Sequence, residues 1–567
     1  MSSEAYIDIE TDGLNPTKIH MVGQLKDGVY TEHFRDFNYE EGVTYYGHNA
    51  IGFDYPVLDA LWGSVSSGNQ LRDTLILSRL AQPSRTGGHG LDAWGAALGY
   101  SKGVHTDWSQ LSDDMRTYCK RDVELLSKVK QRLDKELEGF SEESIELEHK
   151  VARIIHQQEL NGWTLDQEAA FMLLAELKEK KYELEDKVHE TFKPVAKPVR
   201  EIIPKINQSG ATSVVGLKYL GDDCLSLVGG THTRIEWQEF NLGSRKQIGE
   251  RLVALGWKPP KMTPTGQPQV DETTLKDVEF PEGALIADYL TVEKRIAMVQ
   301  SWLDFVQEDG RVHGRCNSNG AVTGRMTHYQ PNMAQVTAGT KIYGTEMRSC
   351  WIAPKGYKIV GADASGLELR MLAHYMNDSE YTKEVTDGDV HTANQRAAGL
   401  ATRPQAKTFI YAFLYGAGDA KVGAIAGKGA GAGRTLKRKF LDNTPALKNL
   451  RDRVGKAARR GWLKGLDGRR IQVRSSHAAL NSLLQGAGAV VMKQALVLLD
   501  QSATDAGLDY KIVGNIHDEI QAEVLEEHAD AFGKLAVTAI EEAGEHFSLR
   551  CPTTGEYKVG NNWSETH

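Results

Sequence analysis

Three short acidic clusters, each beside an apolar segment, constrain this chain more than any other feature. Asp8-Ile9-Glu10 ends one apolar run, Asp363-Ala364-Ser365-Gly366-Leu367-Glu368-Leu369-Arg370 follows a second, and His517-Asp518-Glu519 closes a third. In a strand, side chains two apart share a face, so Asp8 and Glu10 can reach one point while Ile7 and Ile9 turn inward. Carboxylates are the hard oxygen ligands that Mg2+ prefers. Held on rigid strands, they suit a pair of cations that stabilise the attacking and leaving oxygens of phosphoryl transfer. Two acidic constellations far apart in sequence imply two metal sites on one chain.

Composition narrows the rest. A chain of 567 residues exceeds one core, and roughly three to five domains are expected. Cys119, Cys224, Cys316, Cys350 and Cys551 lack CxxC spacing, so they read as reduced thiols, with neither a disulfide framework nor a zinc site. No basic–apolar leader and no apolar run of membrane-spanning length is present, which points to a soluble cytoplasmic protein. The net charge of −9 argues against a simple nucleic-acid coat. Between Arg434 and Arg474, however, 14 Lys/Arg face three Asp. Such a run either steers a polyanion or forms a solvated helical face.

Along the chain, residues 5–25 alternate as strands do, and Val43–His48 and Thr74–Leu80 continue an α/β pattern to about Asp122. From Glu142 to Phe192 apolar residues recur at helical spacing. Residues 193–239 hold Pro194, Pro198, Pro204 and several glycines, with β-like runs such as Ser213–Leu217. They read as a loop-rich insertion between helical parts. A strand-and-turn region begins near Val312.

Around the first cluster, Asp54 follows a turn at Gly47–Phe53, and Tyr118 and Asp122 lie four apart on one helix face. Taken singly, each acid reads better as a surface carboxylate, and only the ordered set points to a nuclease. Around the second and third clusters, Lys358–Asp363 and Lys511–Asp518 are apolar strands ending in acids, which meet if the strands are neighbours. Between them Arg403, Lys407, Tyr411 and Tyr415 are spaced by four. Pro404 fits a first helical turn and places Arg403 just before the helix. Two cations near a helix N-terminus and an aromatic ring further along suit a nucleoside triphosphate, although snorkelling cations on an amphipathic helix give the same pattern.

The set Asp8, Glu10, Asp54 and Asp122 with Tyr118 resembles the tyrosine-containing DEDD exonucleases. Asp363–Arg370, Arg403–Gly416 and His517–Glu519 resemble motifs A, B and C of DNA polymerase family A. Val322-Thr323-Gly324-Arg325, followed by Pro331-Asn332, resembles the minor-groove-facing segment of that family, and Gly388–Thr392, Lys407–Tyr411 and Leu483–Ala489 are similar to its replicative branch from the short-tailed T-odd phages. The resemblance implies an α/β (α+β) multidomain fold, an RNase H-like 3′–5′ exonuclease domain followed by a right-handed polymerase. It divides the chain into exonuclease (1–138), thumb (139–298, with a short insertion at about 193–239), palm (299–366 and 481–567) and fingers (367–480).

It further implies Asp363, Ala364 and Asp518 as metal positions, with Glu519 beside them. Asp8, Glu10, Asp54 and Asp122 would be the metal set of the exonuclease, with Tyr118 orienting water. Each site would take two Mg2+, replaceable by Mn2+. His391, Arg403 and Lys407 would hold the triphosphate, with Tyr411 under the sugar and base and Glu368 selecting deoxyribose. Arg325, Tyr415, Gln485 and His517 would touch DNA, the minor-groove contacts checking pair geometry without reading sequence. Implied partners are primer-template DNA, dNTPs and a phage helicase–primase, in a host bacterial cytoplasm. The insertion looks shorter than the thioredoxin-binding one of phage relatives, and thioredoxin, another partner or none are its alternatives. A 5′-nuclease domain is not expected. A single-subunit RNA polymerase and a non-catalytic scaffold are the competing readings. The four exonuclease acids and Glu368 stand against the first, the full set of carboxylates against the second.

Overall fold

The computed structural model describes residues 3–64, 70–210, 218, 228–275, 278 and 280–567. The chain forms two compact units, Met1–Asp166 with Phe305–His567, and Gln167–Asp304.

The first unit opens with a five-stranded sheet in the order Val29–His33, Ile19–Lys26, Glu4–Thr11, Thr44–Gly47, Gln70–Asp73. The central strand Glu4–Thr11 pairs antiparallel with Ile19–Lys26 and parallel with Thr44–Gly47. Its Ala5, Ile7 and Ile9 are buried, as period-2 alternation demands. Helix Asp113–Glu136 packs on this sheet, its N-terminus capped by the Ser112 hydroxyl accepting from Met115 N at 3.2 Å.

A second sheet of four antiparallel strands runs Tyr510–Ile516, Glu519–Leu525, Tyr357–Ala364, Gly555–Gly560. Helix Ala529–His546 packs on its Tyr357–Ala364 and Gly555–Gly560 strands. The segment Ser476–Asp505 is long and apolar enough to cross a membrane, but most of it is buried within this unit, as in a core helix. Small residues let it approach its neighbours. A Cβ at Gly486 would meet Ile471 at 2.6 Å and the Thr323 carbonyl at 3.4 Å.

Helix Glu142–Asn161 is the spar between the two sheets. At one end Arg72 bonds Glu142 and Glu146 at 2.5 and 2.6 Å, and Asp73 N donates to His149 Nε2 at 2.9 Å. At the other end Gln158 accepts from Asn515 Nδ2 at 2.7 Å and Asn161 donates to the Ile512 carbonyl at 2.9 Å. Midway, the fully buried Glu148 pairs with Lys493 and Arg469, each at 2.6 Å, and Arg469 also holds Asp467 at 2.6 Å. Arg469 belongs to the basic run expected to steer a polyanion or face solvent, and burial in this network removes it from that role. Elsewhere in the run Arg460 and Arg470 lie over the Trp462 ring.

In the second unit, helices Gln167–Thr191, Arg245–Ala254 and Pro281–Phe305 accompany a two-stranded antiparallel hairpin, Val195–Ile202 with His232–Gln238. The insertion expected to be loop-rich is therefore partly a paired ribbon. The register slips between Pro198 and Arg200, and proline, which lacks an amide hydrogen, is confined to such edges and irregularities. Ser213–Leu217 and Cys224 lie outside the described residues.

Removing one partner of a buried ion group strands the others without compensation. Glu148→Ala should therefore destabilise the first unit by about 3–5 kcal/mol, measured as a lowered guanidinium midpoint, whereas Glu142→Ala at the exposed end should cost under about 1 kcal/mol.

Candidate active sites

The first site grows from the central strand. Asp8 and Glu10 share its face, and Cys119 on the helix behind them completes a cluster whose side-chain ligand atoms all lie within 4.8 Å of one another. Cys119 is no hard-ion ligand. Burial pushes its thiol up, and Sγ donates to the Asp8 carbonyl at 3.7 Å. Asp54 opens a short helix and is held by a backbone contact, its Oδ1 accepting from Ile9 N at 3.2 Å. Asp122 comes from Asp113–Glu136, one turn beyond Tyr118.

The structure thus gathers all four expected acids and the tyrosine. Burial, then neighbouring acids, raises every one of them: Asp8 well above its ordinary value, Glu10 to about 8. Asp54, buried beside Asp73, is raised to about 7, and Asp122 is raised chiefly by burial. Glu10 Oε1 and Asp122 Oδ1 are buried without a hydrogen-bond partner among the described residues. Orphaned carboxylate oxygens on acids close enough to raise one another fit a divalent cation.

Sequence spacing did not reveal Lys102. Its Nζ lies 3.1 Å from Asp122 Oδ2 and 5.2 Å from the centre of the Tyr118 ring. It sits in a loop after helix Leu91–Leu98, where no helical or strand period links it to the acids.

The second site lies at one end of the four-stranded sheet. Asp363 is register partner to Glu519, and Ala364 N donates to the Asp518 carbonyl at 3.0 Å. The acids meet although the condition set from sequence, that Lys511–Asp518 neighbours Lys358–Asp363, is not the one the sheet uses. The returning strand Glu519–Leu525 lies between them, and Asp518 sits in the turn that joins Tyr510–Ile516 to it. His517, the other residue of that turn, has φ 60°, a left-handed conformation sparsely populated by non-glycine residues. Burial, then Glu519 and Asp518, raises Asp363 to about 6.

Glu519 is committed elsewhere. Its carboxylate accepts from Trp563 Nε1 at 2.7 Å and from Gln521, and pairs with His567 Nδ1 at 2.9 Å. Sequence spacing could not show these ties.

Around these acids, Tyr415 OH donates to Glu368 at 2.7 Å, and Arg325 reaches Glu368 at 3.3 Å and Asp518 at 3.7 Å. Gln485 is half-buried on the long core helix, adjoining the Gly486 that packs against Thr323. Helix Arg403–Leu414 begins at Arg403, not after it. The Thr402 hydroxyl and the Gln405 side chain form a capping box that draws Arg403 into the first turn. Asp389 caps the preceding helix, Val390–Ala398, and binds Arg403 Nε at 2.7 Å. That bond, more than any other, holds the Asp389 carboxyl well below its usual range. His391 lies 6.4 Å from the Tyr411 ring centre, and Lys407 is exposed on the same helix as Tyr411.

Comparison with known proteins defines the class. The family model "DNA polymerase family A" matches residues 219–565. The chain is 34% identical, over 92% of its length and 92% of theirs, to the DNA-directed DNA polymerases of Enterobacteria phage T3 and Escherichia phage T7. DNA polymerase I of Pseudomonas aeruginosa is 29% identical over 65% of this chain and 44% of that protein. The POL domain of Pol1 from M. smegmatis, solved in complex with DNA primer-template and dNTP, shares the fold. Its TM-score is 0.76 at 18% identity, covering 99% of this chain and 95% of that one. The chain belongs to DNA polymerase family A. More narrowly, it is a DNA-directed DNA polymerase of the T7-like phage replicative kind, and membership carries a dependence on divalent metal.

The raised acids set a pH dependence of stability. Glu10 and Asp54 ionise near 4.5 and 3.8 when unfolded and near 8 and 7 when folded. The folded state then holds more protons between those limits, so stability falls as pH rises. In EDTA, the melting temperature should fall from about pH 4.5 to about pH 8 and then level off. Asp8→Asn with Glu10→Gln should flatten that slope.

Proposed function

We propose that this polymerase extends primers at the Asp363/Asp518 site and excises 3′-terminal nucleotides at the Asp8/Glu10/Asp54/Asp122 site. The observation that carries the first half is the ladder pairing Asp363 with Glu519. It sets residues from two distant motifs beside a helix whose N-terminal end bears Arg403 and Lys407. The second half rests on four acids, two with unpartnered buried oxygens, around Tyr118 and Lys102.

In this reading Asp363, Asp518 and the Ala364 backbone hold two Mg2+, and the four exonuclease acids hold two more, Mn2+ being able to replace them. The bound ions supply charge to the attacking and leaving oxygens. The protein's share is positioning. Arg403, Lys407 and His391 take the triphosphate near a helix N-terminus. Asp389, which now holds Arg403, keeps the guanidinium in place until a phosphate competes for it. Tyr411 stacks on the incoming nucleotide, and the Tyr415–Glu368 bond places a carboxylate where a 2′-hydroxyl would sit. Arg325, Gln485 and His517 face the minor groove. Glu519, bound by Trp563, Gln521 and His567, acts by fixing the turn that presents Asp518.

Primer-template DNA and dNTPs are the partners, a reading supported by what the mycobacterial Pol1 structure holds. The division into exonuclease (1–138), thumb (139–298), palm (299–366, 481–567) and fingers (367–480) is part of the same proposal.

If the sites are separate, their losses should be too. Asp363→Ala or Asp518→Ala should lower primer extension at least about 10²-fold and leave single-strand 3′→5′ degradation near wild type. Asp8→Ala with Glu10→Ala should do the reverse. Extension surviving in the first pair, or degradation in the second, would show the assignment to be mistaken.

The hairpin of the second unit exposes Val199, Ile235 and Trp237 beside Lys197 and Arg200. We read it as a grip on the duplex that lengthens synthesis per binding event. Deleting residues 195–238 should shorten products while single-nucleotide addition stays within about twofold, since phosphate contacts add affinity and not chemistry. Products lengthened by host thioredoxin only when the hairpin is present would make it a docking site instead.

A further inference from the structure

The first site holds a cation of its own. Lys102 Nζ lies 3.1 Å from Asp122 Oδ2. Burial above all pushes Asp8, Glu10, Asp54 and Asp122 up, and the Lys102 charge opposes that shift at all four. Asp122 is only 2% exposed. Lys102 takes one of its oxygens, and the other, Oδ1, is buried without a hydrogen-bond partner among the described residues, as is Glu10 Oε1. Two oxygens are thus open to an ion, and Asp122 Oδ2 joins them only if Lys102 lets go.

The loop that carries Lys102 is fixed on both sides of it. Residues 99–112 join helix Leu91–Leu98 to helix Asp113–Glu136. Before Lys102, Tyr100 N donates to the Gly95 carbonyl at 2.9 Å, Tyr100 OH donates to Glu124 at 2.5 Å, and the Ser101 carbonyl accepts from Arg121 Nε at 2.5 Å. After it, the Trp108 carbonyl lies 2.9 Å from His20 Nε2. Between these ties the loop wraps Tyr118. The centres of the His105 and Trp108 rings stand 5.9 and 5.6 Å from that of Tyr118, and a Cβ at Gly103 would meet Tyr118 Cδ2 at 3.1 Å. The backbone of Lys102 is therefore held, and its flexible aliphatic stem is the part that can move.

An ammonium and a divalent cation cannot share one carboxylate oxygen without strong repulsion at contact range. Lys102 has somewhere else to go. Its Nζ is already 5.2 Å from the centre of the Tyr118 ring, and a ring face attracts a cation. An ammonium held there, beside the acids, suits the anionic oxygen of a phosphate.

We propose that Lys102 is a displaceable counter-ion of this site. It pairs with Asp122, yields that carboxylate to a divalent cation, and then binds a non-bridging oxygen of the 3′-terminal phosphodiester. The proposal rests on the exonuclease reading above and adds to it a residue that both restrains ion entry and touches the strand.

The test uses the full-length enzyme, Mn2+ and a single-stranded oligothymidylate, near pH 9, above the Glu10 value of about 8. Lys102→Gln should move two quantities in opposite directions. The Mn2+ concentration for half-maximal hydrolysis should fall about tenfold, the release of one charge-assisted contact. At saturating Mn2+, kcat should fall about 10²-fold, the loss of one charge-stabilising donor. A side chain that only shaped the loop would weaken ion binding and rate together. Lys102→Arg keeps the charge and should recover most of kcat. Primer extension at the other site should stay within about twofold in both variants, since separate sites act independently.

A second readout is independent of hydrolysis. With Asp363→Ala and Asp518→Ala removing the other acids, electron paramagnetic resonance of free Mn2+ should show the ion bound about tenfold more tightly on adding Lys102→Gln. Should the wild type release no nucleotides, the exonuclease reading fails and this affinity alone decides whether Lys102 guards Asp122. An unchanged or weakened affinity for Mn2+, or an unchanged kcat where hydrolysis occurs, overturns the proposal.

Discussion

Like charges held close together repel, and both sites of this protein are built on that repulsion. Nothing in the side chains of Asp8, Glu10, Asp54 and Asp122 keeps them near one another. The backbone does it. Two lie on a central strand, the third is clamped by the Ile9 amide, and the fourth is countered by Lys102. At the second site the Asp363–Glu519 register and the Ala364–Asp518 backbone bond do the same. Burial first and the neighbouring acids second raise Glu10 to about 8 and Asp363 to about 6, a combined cost that sheet hydrogen bonding withstands. Cations that bind there relieve it, so affinity for the ions and the stability of each site are one quantity.

Such sites work in concert only if their separation is fixed, and the Glu142–Asn161 helix fixes it. Its two ends are pinned to the two sheets by side chain–backbone and amide–amide bonds. Its middle is pinned by Glu148, which pairs with Lys493 on the long core helix and with Arg469 in the turn between the paired strands Trp462–Lys464 and Arg470–Gln472. Buried ion groups add little net stability but penalise every arrangement that leaves one charge alone. A register slip or a rotation of this helix would do that. Arg469 also limits the space at Gly324, where a Cβ would meet its Nη1 at 2.9 Å. The same network therefore bears on the segment that carries Arg325.

Elements with a strong period were legible in the sequence. The strand of Asp8 and Glu10, the helix of Tyr118 and Asp122, and the helix of Arg403 to Tyr411 follow from spacing alone, and the α/β class follows from their alternation. Contacts made across long loops were not legible. Lys102, the Ile9–Asp54 bond and the ties from Trp563 and His567 to Glu519 depend on three-dimensional closure that no local period encodes. The strand order stayed open in the sequence for a related reason. A turn at His517–Asp518 requires a left-handed residue, and histidine gives no hint of one where glycine or asparagine would. The basic run read as one electrostatic feature because composition cannot tell a solvated arginine from Arg469, which is buried against two carboxylates.

The strand order of the second sheet has a consequence for how the chain emerges from a ribosome. Tyr357–Ala364 is flanked by Glu519–Leu525 on one side and Gly555–Gly560 on the other. Both neighbours are translated long after it, so the strand waits with two unpaired edges, the exposure that makes non-local sheets slow and prone to wrong partners. The five-stranded sheet and the helix bearing Asp122 are complete once residue 136 has been made. During each round of translation, the chain thus owns the scaffold of the site read as degrading DNA well before it can close the one read as making it.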